Sequence, residues 1–87
     1  MPRVEIFTKA FCPYCARATA LLGRKGVSYD EIDITMGGPK RAEMIARSDG
    51  RLTVPQVFIG DTHIGGSDDL ADAERSGELD RLLSTDA

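Results

Sequence analysis

The sequence predicts an α/β domain: a mixed four-stranded sheet flanked by helices, in the order βαβα, then a ββ hairpin, a helix and a short terminal helix. Three observations carry this. By Ile34 the chain has already read strand, helix, strand, a βαβ unit whose strands run parallel with a right-handed crossover. Two β-rich runs around Gly60-Asp61 then read as an antiparallel hairpin. The only two cysteines, in Phe11-Cys12-Pro13-Tyr14-Cys15, fall at the turn between the first strand and the first helix. Parallel pairing in the first half and antiparallel pairing in the second close most economically into one mixed sheet covered by helices.

Arg3 to Thr8 forms the first strand, short and mostly apolar through Val4, Ile6 and Phe7. Pro13 to Lys25 follows as a helix. Cys15, Ala18 and Leu22 recur on one side with Leu21 beside them, while Arg17 and Arg24 share the other. Cys15 is therefore expected to face inward and Cys12 outward. Gly26 suits the left-handed position that closes such a helix. The second strand spans Val27 to Ile34, with Tyr29, Ile32 and Ile34 as its apolar members. Gly37-Gly38-Pro39 opens a second helix over Lys40 to Ser48, where Met44 and Ile45 are the only large apolar residues. Thr53 to Ile59 and Thr62 to Gly65 make the hairpin, with Pro55 required at a strand start or an edge. His63 belongs on this hairpin as a sheet-edge residue, and Met36 and Met44 read as packing. Ser67 is expected to cap the next helix, with Asp68 and Asp69 on its dipole and Leu70 and Ala73 inside. Ser76-Gly77 interrupts it, Leu79, Leu82 and Leu83 pack a last short helix, and the tail from Ser84 frays. No linker or repeat divides the chain, so residues 1–87 are read as one domain.

The cysteine pair carries the chemistry. With Pro13 at the first helical position, Cys12 is the N-cap and Cys15 lies one turn on, so both sulfurs share a side. Free N–H groups and the positive end of the helix dipole stabilise a thiolate at Cys12 and make it the attacking sulfur. A Cys-x-x-Cys in this setting reads as a thiol–disulfide redox site. So short a loop would gain little from a structural disulfide. Zinc lacks ligands, since His63 is the sole histidine. Fourteen acidic against eleven basic side chains, net charge −3, argue against nucleic acid or an anionic membrane as partner. With no signal region or membrane span in the sequence, a cytoplasmic location is expected.

Cys12-Pro13-Tyr14-Cys15, Thr53-Val54-Pro55 and Gly65-Gly66-Ser67-Asp68-Asp69 together resemble the three signature segments of a classical dithiol glutaredoxin, most closely the short bacterial kind. The resemblance spans Val4 to Leu83 and implies a thioredoxin fold. It implies a glutathione-dependent oxidoreductase that reduces protein disulfides and glutathione mixed disulfides, with glutathione as co-substrate and no bound cofactor. Cys12 would be the nucleophile and Cys15 the resolving thiol. Pro55 would be cis, presenting the Val54 backbone beside Thr53 to the cysteine of glutathione. Gly66, Ser67 and Asp68 would receive the γ-glutamyl end, Lys9 the glycine carboxylate, and Tyr14 would flank the tripeptide. Arg41, Arg47 or Arg51 would assist, without a basis for choosing among them. The expected partners are glutathione and disulfide-bonded or glutathionylated proteins, with the chain a monomer. Ser67 stands where certain relatives carry a further cysteine.

Two rivals stand against this reading. A redoxin served by a flavin reductase has no need of the two tripeptide-binding segments. An iron–sulfur cluster carrier of this fold typically has glycine and serine in place of Pro13 and Cys15.

Overall fold

A computed structural model describes residues 2–84; the expected fraying beyond Ser84 lies outside the described residues. Eight elements follow in order: β1 (Val4–Thr8), α1 (Pro13–Arg24), β2 (Asp30–Asp33), α2 (Gly38–Arg47), β3 (Gln56–Ile59), β4 (Thr62–Gly65), α3 (Ser67–Ser76) and α4 (Glu78–Leu83). The sheet order is β2-β1-β3-β4. β1 runs parallel to β2 and antiparallel to β3, and β3 pairs antiparallel with β4. This is the mixed sheet the element order predicts.

Alternation along the two central strands builds a core on each face. Val4 and Ile6 of β1 and Val57 and Ile59 of β3 point to one side, where they meet Leu22 of α1 and Leu70 of α3. Phe7 and Phe58 point to the other, where Met44 of α2 closes over them. The Phe7 and Phe58 rings meet edge to face at 5.7 Å.

The thin apolar stripe of α2 is completed by a cation. Arg47 lays its guanidinium 4.3 Å above the Phe58 ring and bonds Glu5 at 2.8 Å. A flat, weakly hydrated cation can cover an aromatic face this way while its stem packs as hydrocarbon. The Arg47 hydrogen bond holds the Glu5 carboxyl below the usual range, outweighing the cost of its partial burial. Arg47 is thereby committed to packing and leaves the set of candidate ligand arginines.

The helix ends follow local chemistry. At the end of α1, Gly26 takes φ 71°, Val27 N–H reaches Leu22 C=O and Gly26 N–H reaches Gly23 C=O. This is the Schellman pattern, with buried Val27 packing in the same core as Leu22. It explains why β2 starts at Asp30 and not at Val27: the first residues after the helix are spent on its cap. β3 likewise starts at Gln56, because Val54–Pro55 is a cis peptide and Thr53 to Pro55 form a loop. The expected Ser67 cap is also displaced. Gly66 is the N-cap and Ser67 the first helical residue. The orphan N–H of Gly66 is taken by Asp69 Oδ2 at 2.9 Å, three residues on. Met44 is fully buried as expected, but Met36 is exposed in the β2–α2 turn. His63 sits on edge strand β4, its ring stacked on Phe58 and its Nε2 2.7 Å from Gln56 Oε1.

Candidate functional site

Cys12 caps α1 from extended backbone, φ −109° and ψ 110°, with Pro13 directly after it. Both cysteines are free thiols, Cys12 half-buried and Cys15 buried at 5% exposure. The inward and outward assignment made from helical periodicity therefore holds. No formed cap bond joins the Cys12 side chain to the helix. Burial raises the Cys12 thiol, but the N–H groups of Cys15 and Tyr14, the Cys15 thiol and the charge of Lys9 outweigh it, and the net shift is downward. Cys15 moves the opposite way. Burial, then the hydrogen bond to Cys12, and more weakly the charges of Cys12 and Glu31, push it up to about 11. One helical turn thus separates a thiol poised to ionise from one held protonated.

Two clefts open beside this pair. The first, about 270 Å³, is walled by Tyr14, the Thr53–Pro55 loop and the start of α3 from Gly66 to Asp69. It gathers Tyr14, Thr53, Val54 and Pro55 with Gly66, Ser67 and Asp68. Those residues come from three separate stretches of sequence. The sheet brings them together, because β3 and β4 carry the loop and the α3 N-terminus to the end of β1 where α1 begins. Lys9 stands outside this cleft, in an adjoining one that shares Thr53 and Val54 and also includes Arg41.

Arg51 lines the first cleft, and its guanidinium reaches Asp69 Oδ2 at 3.5 Å. Reading the sequence left Arg51 among three candidates and treated Asp69 only as a helix-start acid. Asp69 had a detectable signal, an acid three positions after the helix cap. Gly65 explains its fit: φ is +118°, and a Cβ there would lie 2.9 Å from Asp69 Cγ. Any other residue at this position would be strained and would displace the Asp69 side chain. The second cleft, about 620 Å³, shares no lining residue with the first and contains Cys12 and Cys15 themselves, with Phe11 and Glu31 on its walls. Nothing in the sequence pattern pointed to it.

A mixed sheet of this order, with a dithiol at the N-terminus of α1 and a cis-proline loop beside it, defines a thiol–disulfide protein of the thioredoxin fold. The glutaredoxin family model matches residues 4–64. Glutaredoxin 3 of Escherichia coli strain K12 is 58% identical over 83 residues, 95% of this chain and 99% of the relative. The solution structure of glutaredoxin from Brucella melitensis superimposes with a TM-score of 0.84 at 54% identity, covering 98% of this chain and 91% of that one. The crystal structure of a buckwheat glutaredoxin–glutathione complex does so with a TM-score of 0.82 at 32% identity, covering 95% and 77%. The chain belongs to the glutaredoxin family. It is a glutathione-dependent thiol–disulfide oxidoreductase, with glutathione as its co-substrate.

Proposed function

We propose that Cys12 is the nucleophile, Cys15 the resolving thiol, and the cleft between the Thr53–Pro55 loop and α3 the glutathione site. The observation that carries this is the opposed ionisation of the two thiols. Cys12 is lowered at a helix N-terminus, and Cys15, one turn deeper, is pushed up to about 11.

The chemistry then runs as two exchanges. Cys12 thiolate attacks one sulfur of a substrate disulfide; a Cys12–substrate bond forms, the substrate S–S bond breaks, and the displaced sulfur leaves as a thiolate. With Cys12 now neutral, its charge no longer adds to the burial that keeps Cys15 protonated. Cys15 attacks Cys12 Sγ as its proton passes to the departing sulfur, forming Cys12–Cys15, breaking the Cys12–substrate bond and releasing the second substrate sulfur as a thiol. Two glutathiones return the enzyme to its dithiol and leave as glutathione disulfide. For a glutathionylated substrate, Cys12 takes the glutathionyl group and one further glutathione removes it, so Cys15 is not needed.

In the cleft, the N–H groups of Ser67 and Asp68 suit the γ-glutamyl carboxylate and the Asp68 side chain suits the α-amine. Gly66 keeps this approach open, Tyr14 covers the tripeptide, and Val54 pairs with its backbone beside Thr53 and Pro55. Lys9, one cleft away, attracts the glycine carboxylate. Arg51 is the favoured assisting arginine because it lines the cleft. We further take the chain to act as a single-domain monomer in the cytoplasm on disulfide-bonded and glutathionylated proteins. Among the described residues no helix is long and apolar enough to cross a membrane.

The two routes separate under substitution. Cys15→Ser should keep or increase deglutathionylation, since it removes the competing internal disulfide, and should sharply slow reduction of a protein disulfide. Cys12→Ser should abolish both. Steady-state rates of both variants on both substrate types test the assignment; equal loss of both activities in Cys15→Ser would overturn the one-thiol route.

A further inference from the structure

The larger cleft, which shares no lining residue with the cleft at α3, is walled by Ala10, Phe11, Pro13 and Ala16 and rimmed by Lys9 and Glu31. Both cysteines open into it. Its walls are better ordered for display than for folding. Phe11 is fully exposed, at 104%, and adopts φ 58° in the left-handed region. A bulky residue there is an outlier, and such strain persists where surrounding structure holds it, most often at sites of function. The loop that holds it is pinned: Ala10 N–H donates to Thr35 Oγ1 at 2.9 Å, and that hydroxyl donates to Asp33 at 2.5 Å. The opposite rim is fixed too, because the buried Thr8 hydroxyl donates to Glu31 Oε2 at 2.9 Å. An aromatic ring displayed on a pinned loop and a carboxylate fixed by Thr8 therefore both line the cleft that contains the reactive sulfur, at no benefit to the core.

We propose that this groove is the docking surface for polypeptide disulfides, with Phe11 as its apolar anchor and Glu31 as its polar selector. The occupant is a chain segment carrying the attacked cysteine, with an apolar side chain beside that cysteine on Phe11 and a basic side chain toward Glu31. The chemistry of the occupant follows from the walls: a ligand in contact with Cys12 Sγ must bring a disulfide sulfur to it. The groove, about 620 Å³, is separate from the cleft at α3 and is the one that contains both sulfurs. The groove and the cleft at α3 share no lining residue, and Lys9 at the rim of the groove is the one group proposed to meet both ligands. The inference rests on Cys12 being the nucleophile, as proposed above.

The test compares two substrates in one set of variants. One is a short synthetic peptide closed by a disulfide, with leucine and lysine beside one cysteine; the other is the glutathione mixed disulfide of mercaptoethanol. Phe11→Ser is expected to raise KM for the peptide roughly tenfold, as losing one aromatic anchor does, while moving the small substrate less than about twofold. Phe11→Tyr is expected to restore peptide binding. Glu31→Gln should narrow the preference for the lysine peptide over its glutamate counterpart. An unchanged peptide KM in Phe11→Ser, or an equal loss on both substrates, overturns the docking surface. A raised KM for glutathione alone also overturns it, assigning the groove to the tripeptide. None of these outcomes touches the assignment of Cys12 as nucleophile, which the Cys12→Ser and Cys15→Ser pair tests separately.

Discussion

The ionisation of Cys15 gives the sharpest numerical expectation. Its thiol is pushed up to about 11 from an ordinary 9.0, by burial first and by Cys12 second. Four pH units lie between pH 7 and that midpoint, so about one Cys15 in ten thousand is a thiolate at neutral pH. Only the thiolate reacts with an alkylating agent, and burial slows access further. Pulsed iodoacetamide labelling of the reduced protein across a pH series, followed by peptide mapping, reads both sites at once. Cys12 labelling should be fast and should level off below the ordinary thiol range. Cys15 labelling should climb about tenfold per pH unit without levelling before about pH 11. In Cys12→Ser a neutral hydroxyl replaces the Cys12 thiolate, so the charge of Cys12 is gone while burial and Glu31 remain. The Cys15 midpoint should then fall while staying above the ordinary value, imitating the neutral Cys12 of a mixed disulfide. The linkage to stability has opposite signs for the two thiols. Cys15, raised on folding, contributes stability that is complete below the unfolded value and lost as pH climbs toward about 11. Cys12, lowered on folding, contributes stability that is present in alkali and lost as pH falls through its folded value. Comparable labelling of the two cysteines at pH 7, or a Cys15 midpoint unmoved by Cys12→Ser, would refute the reasoning.

Two further outcomes are expected. Asp68→Ala and Lys9→Ala should each raise KM for glutathione several-fold with the fold intact, because each removes an exposed charge-assisted contact of about 1 kcal/mol; unchanged glutathione kinetics in both would refute the mapped site. Gly65→Ala should lower the thermal midpoint and raise the same KM together, since its Cβ meets Asp69 at a φ of +118° and displaces the cap of α3; a variant as stable and as tight as the parent would show that the cap does not position the cleft.

Much of this was legible because the signals were local. Proline after Cys12, glycine after Lys25 and the hairpin around Gly60-Asp61 each specify a backbone geometry by themselves, and each lies where expected. The inward Cys15 was equally readable, since helical period alone fixes which side it takes. What escaped depended on partners distant in sequence. Arg47 looked like one more surface cation on a weak helix until β1 and β3 brought Glu5 and Phe58 beneath it. The Ser67 cap failed because Asp69 reaches back to the Gly66 N–H and the helix starts one residue earlier, with Gly66 as its cap, and Gly65 leaves that side chain room. The span of β2 failed at its N-terminal end, where Val27 and Tyr29 pack on the core from the connection after α1 and not from the ladder. The second cleft is a property of juxtaposed surfaces, and no spacing encodes it.

The acidic edge strand has a consequence for the company this molecule keeps. β2 is four residues long, borders solvent, and carries Asp30, Glu31 and Asp33. An enzyme that works on disulfides meets chains that are partly opened, with unpaired backbone looking for a ladder to join. A long apolar rim would capture such chains and seed co-aggregates. A short rim carrying Asp30 and Asp33 disfavours such strand pairing, so contact with a client is directed to the groove at the sulfurs, where Glu31 faces it.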